Sequence, residues 1–243
     1  MNAVDEPSFE TDDHARVFRY VERHGAVAPD DIDAGVRLDA TGVDEAVTDL
    51  KRDEYLSEFD GTLQLVLGAD SAVTHERGGD SITIRPGRQD HLSTIVDAVR
   101  DVVADVRYPR AETFVGHLEQ EGLLQRYNAQ RTRMVFTATV AAGPVGWVHL
   151  GASALQRSRR TVEGTLGVRD EFRCRGIGTL LLQRGCAWAA AAGFGKVCQR
   201  LPATNDRAVT FLTTAGWETE TIRRNHYDCG GDPVDEVKMA IDL

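Results

Sequence analysis

Lysine is scarce in this sequence of 243 residues. Only Lys51, Lys196 and Lys238 are lysines among 28 basic residues, while aspartate and glutamate together number 38. Abundant acidic residues with so little lysine are typical of proteins kept soluble in concentrated salt. The composition therefore predicts a halophilic, haloarchaeal origin. An ordinary acidic protein with an arginine-rich, GC-biased composition is the alternative.

Cysteine is also rare and never forms a C-x-x-C pair. The four cysteines stand at positions 174, 186, 198 and 229. Without paired spacing, neither a zinc site nor a redox motif is indicated. We expect free thiols in a reducing compartment and no bound metal.

Long apolar segments are missing as well. No hydrophobic run reaches the roughly 18 residues that a membrane-spanning helix needs. The first six residues, Met1 to Glu6, are polar and acidic, which does not fit a secretory signal. Hydrophobic residues make up 42% of the chain, enough for packed cores. These features predict a cytoplasmic protein with no membrane partner.

The acidic residues are concentrated at one end of the chain. Residues 1–79 hold 19 acidic and 7 basic side chains, a net charge of −12, whereas residues 80–243 hold 19 and 21, a net charge of +2. Such asymmetry between segments indicates two units with different roles.

The first unit, residues 1–68, is predicted to contain three helices and a hairpin. Apolar spacing favours a helix over His14 to Arg23, Pro29 suits the first turn of a second, and Asp39 or Thr41 can cap a third. The pair Asp60-Gly61 between alternating strands predicts a hairpin. This order resembles a small winged helix-turn-helix α+β domain. The polar stretch of residues 69–80 is interpreted as a linker.

The third helix argues against DNA binding by this unit. A winged helix normally reads DNA through a basic helix. Here Lys51 and Arg52 are outnumbered by acidic residues, namely Asp44, Glu45, Asp49, Asp53 and Glu54. A protein-interaction or dimerisation module, or a part that shapes an acceptor site, is the favoured interpretation.

The second unit, residues 81–243, alternates strands and helices in the order β-α-α-β-β-β-α-β-α-β-β. This pattern predicts a mixed α/β sheet. We predict strands over residues 81–85, 134–141, 145–150, 161–168, 197–201, 219–224 and 237–241, and helices over residues 91–104, 113–124, 178–192 and 206–215. Residues 108–128 are predicted to be the segment that faces an acceptor.

A glycine-rich turn joins the strand at residues 161–168 to the next helix. A helix N-terminus offers unpaired N–H groups and the positive end of a dipole. Gly176 and Gly178 let a ligand approach the backbone closely, while Arg173 and Arg175 add charge near a bound phosphate. A nucleotide pyrophosphate is therefore the expected ligand of this turn. A tight turn without a ligand is the alternative.

Two common nucleotide motifs do not fit. Gly176-x-Gly178 is followed by Leu181 where a dinucleotide-binding fingerprint would have glycine, and no Gly-Lys-Ser/Thr follows any glycine loop.

The loop does resemble another family. Arg173-x-x-Gly176-x-Gly178 is similar to the R/Q-x-x-G-x-G/A cofactor loop of the GNAT acetyltransferase superfamily. At the family's spacing, Asn205 to Leu212 followed by Ala215-Gly216-Trp217 is similar to its N-x-x-A…L-Y-x-x-x-G-F segment. Together with the element order, the resemblance covers residues 81–243. It implies a mostly antiparallel sheet flanked by helices.

The resemblance implies acetyl-CoA as co-substrate. Backbone N–H groups of the loop would hold its pyrophosphate, the splayed strand would bind its pantetheine arm, and an N–H of that strand would polarise the thioester. Asn205 would hold the far end of the arm, with Phe211 packed nearby. The expected cofactor-binding residues are Leu166, Gly167, Val168, Arg173, Cys174, Arg175, Gly176, Ile177, Gly178, Thr179, Asn205 and Phe211.

Two catalytic residues are predicted. A lysine amine has a pKa near 10.4, so a base must remove its proton, and Glu163 is the candidate at the position implied by the resemblance. Members of the family often carry a tyrosine that protonates the departing thiolate, but here that position is Leu212. Tyr227 or His226 could substitute, or the thiolate could leave without a donor.

The sequence thus predicts an N-acetyltransferase that moves an acetyl group to a primary amine by direct attack in a ternary complex. The acceptor is expected to be a protein lysine or N-terminus, or a small amine. A winged-helix regulator that senses acetyl-CoA is the alternative function, and a homodimer stays open.

Overall fold

The computed structural model describes residues 9, 11–24, 27–53, 55–59, 61–65, 72–77, 79–87, 92–106, 109–121, 126–127, 131–153, 160–228 and 231–243. The helices are α1 (Asp12–His24), α2 (Pro29–Val36), α3 (Ala40–Arg52), α4 (Leu92–Val106), α5 (Pro109–Glu121), α6 (Ile177–Ala191) and α7 (Asp206–Thr214). The strands are β1 (Leu56–Phe59), β2 (Thr62–Leu65), β3 (Val73–Arg77), β4 (Asp80–Pro86), β5 (Arg126–Tyr127), β6 (Arg131–Val140), β7 (Gly143–Ser153), β8 (Thr161–Val168), β9 (Lys196–Pro202), β10 (Glu218–Asp228) and β11 (Pro233–Asp242).

The first unit has the predicted order of three helices and a hairpin. Asp39 caps α3 by accepting a hydrogen bond from the N–H of Gly42 at 2.8 Å, and Pro29 opens α2. The strands β1 and β2 pair antiparallel from Leu56↔Leu65 to Phe59↔Thr62. The three helices and the hairpin share a hydrophobic core of their own, which includes Val17, Ile32, Leu50 and Leu63. The assignment of this unit to the winged-helix class stays a prediction.

The basic residues of α3 are engaged within the protein. The Nζ of Lys51 donates to Glu58 at 2.6 Å, and Arg52 pairs with Asp49 and Asp53. Surface ion pairs of this kind leave little free positive charge on the helix. This arrangement gives no support to phosphate binding by α3.

The second unit is organised around one large sheet. Within the described residues its strands follow the order β10-β11-β9-β8-β7-β6-β4-β3, with β5 paired to β6. Among these described strands, only β8 and β9 run parallel, and every other neighbouring pair is antiparallel. This confirms the predicted mixed, mostly antiparallel α/β sheet flanked by helices.

Helices cover both faces of this sheet. On one face, α6 packs against β7 and β8, and Gly185 allows the close approach because a Cβ there would lie 3.4 Å from Val148 and Leu150. On the other face, α4 and α5 cover β7, and the ring of Phe114 stacks on that of His149 with centroids 4.4 Å apart. Trp147, which is fully buried, fills the space above Gly167.

The segment predicted as a linker contains a strand. Within residues 69–80, β3 pairs antiparallel with β4 from Val73↔Ile84 to Arg77↔Asp80. Four of its five residues are exposed, so it shows no alternation of apolar and polar positions that sequence reasoning could detect. It extends the sheet only because β4 offers an unpaired edge. The division into domains stays a prediction.

Several predicted features lie partly outside the described residues. These are the hairpin tip at Asp60, the end of its second strand at residues 66–67, parts of the acceptor segment 108–128, and Cys229. Among the described helices, the longest have 15 residues, and none combines the length and hydropathy that crossing a bilayer requires.

Candidate active site

A cavity of about 440 Å³ opens where β8 and β9 separate. The two strands are paired only from Thr161↔Lys196 to Glu163↔Cys198. Beyond that point β8 stays on β7 as far as Val168, while β9 stays on β11 as far as Pro202. The divergence leaves a wedge in the sheet, and the N-terminal ends of α6 and α7 border it.

The N-terminus of α6 forms one end of the cavity. Its N-cap, Gly176, has φ 80° and ψ 1°, a left-handed conformation that glycine adopts without strain. Within the described part of the chain, no side-chain hydrogen bond caps this helix end. Among these residues, the amides of its first turn have no side-chain partner and border the cavity, which is the arrangement that binds a phosphate. The residues fit a nucleotide pyrophosphate.

The arginines of the loop hold the loop itself. The Nε of Arg173 donates to the carbonyl of Val168 at 2.9 Å, and its Nη1 donates to Asp170. Arg175 donates to Asp80 at 2.7 Å and to the carbonyl of Glu171, which turns its side chain away from the cavity. Both arginines thus stabilise the conformation that presents the amides.

Arg207, which sequence reasoning missed, brings a guanidinium to the cavity wall. It stands in the first turn of α7, 59% exposed, and its Nη2 lies 3.4 Å from the Sγ of Cys174. Its position in the Asn205-x-x-Ala208 segment was the available signal, because that segment was expected to border the cofactor.

Ten of the twelve predicted cofactor residues line this cavity. They are Leu166, Gly167, Val168, Arg173, Cys174, Gly176, Gly178, Thr179, Asn205 and Phe211. Arg175 and Ile177 do not line it, since Arg175 turns to Asp80 and Ile177 is buried in the core. The charge that Arg175 was predicted to place beside the phosphate is thus directed to Asp80 instead, and the role predicted for the backbone amides of Arg175 and Ile177 stays a prediction.

Helix α7 supplies the opposite wall. The side chain of Asn205 caps α7 by accepting from the N–H of Ala208 at 3.1 Å. Phe211 lies against the start of α6, where a Cβ on Gly178 would be 3.4 Å from its ring. Leu212, at the position where a tyrosine was expected, is buried and also lines the cavity. The remaining lining residues that sequence reasoning missed are Val102, Phe172, Gln199, Leu201, Ala208 and Thr210.

The two predicted catalytic residues belong to one polar network outside the cavity wall. Arg200 links them, with its Nε 3.5 Å from Glu163 and its Nη1 3.7 Å from Glu236. The hydroxyl of Tyr227 donates to Glu236 at 2.7 Å. Glu236 is only 1% exposed and is also approached by Arg223 and His226. Neither Arg200 nor Glu236 was singled out from the sequence.

Glu163 nevertheless stands at the apex of the wedge. It is the last residue of β8 that pairs with β9. Because side chains alternate along a strand, Glu163 lies on the opposite face of β8 from Leu166 and Val168. Its carboxylate is therefore at the point where the strands part, on the face away from α6.

The same face of the sheet carries a second ion cluster. Glu220 accepts hydrogen bonds from Lys238 and Lys196, and these hold the pKa of Glu220 below its usual range. The bond to Glu220 raises the pKa of Lys196. Burial raises the pKa of the Cys198 thiol to about 11, and it does the same for Cys186. In the described part of the chain, no group of three or more His, Cys, Asp or Glu side chains is arranged to hold a metal ion.

Residues 104–217 match the acetyltransferase (GNAT) family. No curated protein matches the chain. Among solved structures, the GNAT-family acetyltransferase of Streptococcus pneumoniae is 17% identical with a TM-score of 0.54, covering 67% of this chain and 99% of its own. The ribosomal-protein-S18-alanine N-acetyltransferase of Escherichia coli is 16% identical with a TM-score of 0.51, covering 66% and 93%. The yncA protein of Salmonella typhimurium, solved with its cofactor acetyl-CoA, is 17% identical with a TM-score of 0.53, covering 67% and 94%.

At these identities the solved structures establish a shared fold, and the family match covers the loop, the wedge and helix α7. Residues 104–217 therefore carry a GNAT acetyltransferase domain, in a family of N-acetyltransferases whose co-substrate is acetyl-CoA.

Proposed function

We propose that this protein transfers the acetyl group of acetyl-CoA to a primary amine by direct attack in a ternary complex. The observation that carries the proposal is the wedge between β8 and β9, which ends in uncapped helix amides on one side and in Glu163 on the other. One cavity thus offers an anion site and an apex that lies beside a carboxylate.

The loop and β8 hold the co-substrate. The amides at the start of α6 bind its pyrophosphate, and Arg173 keeps them in place by tying the loop to the end of β8. The edge of β8 from Gly164 to Val168 has no partner in β9, so its backbone groups can hydrogen-bond the pantetheine arm. Acetyl-CoA supplies an activated thioester, and the protein holds that thioester in position for attack by the amine.

Glu163 acts as the general base. The attacking amine must be neutral, and its proton goes to this carboxylate directly or through one water. Arg200, 3.5 Å away, holds the carboxylate in place, and Glu236 in turn approaches Arg200. The amine approaches from the face that carries Glu163, opposite to α6.

The thiolate leaves without a dedicated acid. Leu212 has no proton to give, and the hydroxyl of Tyr227 donates to the buried carboxylate of Glu236. A free thiol has a pKa of about 8.5, so a thiolate is a stable enough leaving group near neutral pH. We assign Tyr227 to positioning the Glu236–Arg200 pair.

The acceptor is a protein N-terminus, a protein lysine or a small amine. The similar fold of the Escherichia coli enzyme that acts on a ribosomal-protein alanine supports a test with peptides. A panel should therefore contain a peptide with a free N-terminus, a peptide with an internal lysine and blocked N-terminus, and a polyamine.

The test follows thiol release from acetyl-CoA with this panel. We expect turnover with at least one acceptor, and a loss of about 100-fold or more in kcat for Glu163→Gln, since a general base contributes about 10² to 10⁴. Binding of CoA by calorimetry should be unchanged in the variant.

Glu218→Gln is the matched control. Glu218 is an exposed glutamate at the start of β10, so its loss should leave kcat within twofold of the wild type. Tight CoA binding without turnover on any acceptor would contradict the proposal.

A further inference from the structure

Gln199 occupies the position in β9 directly after the last pair with β8. The ladder between the strands ends at Glu163↔Cys198, and Gln199 continues in register only with Met239 of β11. Its side chain lies over Gly164, where a Cβ would be 3.4 Å from both its Cγ and its Nε2. The missing side chain at Gly164 therefore makes room for this amide at the apex of the wedge.

The amide of Gln199 is buried in an apolar setting. The residue is 6% exposed, and the neighbours on the same face of β9 are Val197 and Leu201, both 1% exposed. Its Nε2 is inaccessible to solvent and has no hydrogen-bond partner within the described residues. A buried polar group without a partner costs stability, and nearly all such groups in native proteins are paired. An apolar residue would suit the folded protein better at this position.

Gln199 also lines the cavity, so a bound molecule can supply the missing partner. The phosphate end of the cavity is at α6, beyond Val168. The five steps of β8 from Val168 back to Glu163 span about 16 Å. The group that reaches Gln199 is therefore the end of the co-substrate most distant from its phosphates, which is the acyl group.

We propose that the side-chain amide of Gln199 donates a hydrogen bond to the thioester carbonyl oxygen and stabilises the negative charge that develops there. This rests on the proposed acetyl transfer. The amine nitrogen forms a bond to the carbonyl carbon, and the bond from that carbon to sulfur breaks. The electron pair leaves on sulfur, and the amine proton goes to Glu163. Gln199 is a catalytic residue in this scheme because it contacts the reacting oxygen.

The test compares Gln199→Met with the wild type by three measurements. Methionine keeps the length of the side chain and removes its polar group. The Tm of the ligand-free protein should therefore not fall, and a rise of about 2 °C is expected where the unpaired amide of Gln199 costs stability. The Kd for CoA, which lacks the thioester, should stay within threefold. The kcat should fall by about 100-fold, the effect of removing one such donor.

Two further variants separate donation from packing. Met239→Leu changes the buried residue that pairs with Gln199 from β11 but does not line the cavity, and the two side chains are close in volume, so kcat should stay within about threefold. Gln199→Glu, assayed at pH 8, replaces the donor with a carboxylate of equal length. It should lower kcat at least as much as Gln199→Met does.

Two outcomes would overturn the proposal. A lower Tm with an unchanged kcat for Gln199→Met would make the residue structural. A Kd for CoA raised tenfold with kcat intact would place the hydrogen bond on an amide carbonyl of the pantetheine arm. If the wild-type protein binds CoA but turns over no acceptor, the proposed acetyl transfer itself is refuted. That result is distinct from the other two, because it is seen in the wild type and not in Gln199→Met.

Discussion

Replacing Gly176 with alanine tests the loop that presents the amides of α6. Gly176 has φ 80° and ψ 1°, and a Cβ at this position would meet nothing within 4 Å. The cost of the alanine is therefore confined to the backbone, because there is no clash to add. For an L-residue the left-handed conformation costs about 1–2 kcal/mol.

This cost can appear in two measurements. If the loop of the variant keeps its shape, the folded state is destabilised by about 1–2 kcal/mol, and Tm falls by about 2–8 °C at this chain length. If the loop relaxes instead, the bound shape must be restored when CoA binds, and the Kd rises by about 5- to 30-fold. Stability loss and affinity loss together should amount to about 1–2 kcal/mol.

The assay combines urea denaturation with calorimetric titration of CoA. Gly216→Ala is the matched control, because Gly216 also has a positive φ, 86°, and open space around its Cβ, but does not line the cavity. It should lose a similar stability and keep its affinity for CoA. Gly176→Asn should lose less than Gly176→Ala, since asparagine tolerates the left-handed conformation better.

The reasoning would be refuted if Gly176→Ala matched the wild type in both measurements. It would also be refuted if Gly216→Ala weakened CoA binding as much as Gly176→Ala does. Either result would show that the backbone conformation of Gly176 is not what prepares the loop.

Three other changes have definite expected outcomes. Gly167→Ala would place a Cβ 2.1 Å from the ring of Trp147, so urea denaturation should show a free energy of unfolding lowered by about 2–3 kcal/mol, or a failure to fold. Gly116→Ala is the control and should be tolerated, because a Cβ there would meet nothing within 4 Å. Arg207→Ala should weaken CoA binding by about five- to tenfold at low salt and by less in concentrated salt, as measured by titration, while Arg175→Ala has a smaller effect because Arg175 is held by Asp80. At pH 8, peptide mapping after alkylation should show the exposed Cys174 modified well before Cys186 and Cys198, because the pKa of about 11 of these two thiols leaves about one in a thousand of them as thiolate. CoA should protect Cys174, which lines the cavity. Rapid labelling of Cys198 would contradict its burial.

Local chemistry made the cofactor loop predictable. A glycine with positive φ, a helix start and the end of the preceding strand are all encoded within 14 residues, from Leu166 to Thr179. The hairpin of β1 and β2 was predictable for the same reason, because an Asp-Gly pair between alternating strands is a local turn signal in the sequence. These features depend on neighbours in sequence.

Features that depend on distant pairing could not be read in this way. The polar network joins Glu163, Arg200, Glu236 and Tyr227, which come from four strands. They meet only because β11 lies between β9 and β10 in the sheet. No spacing in the sequence encodes that order, so Arg200 and Glu236 were missed.

The roles predicted for Arg173 and Arg175 show the same limit. The sequence placed two cations beside the phosphate loop, and the structure turns them to Val168 and Asp80. Asp80 is 95 residues away, so a pairing with it is decided by the approach of β4 to the loop. The guanidinium of Arg207 reaches the cavity by the approach of α7.

The sequence by itself determined the order of helices and strands, except for β3 and β5, and the backbone chemistry of the anion-binding loop, because both follow from local conformational preferences. The tertiary structure alone decided where β8 leaves β9, which carboxylate stands at that point, and which buried amide faces the cavity. Those properties arise from strand register, and register is set by the packing of the whole sheet.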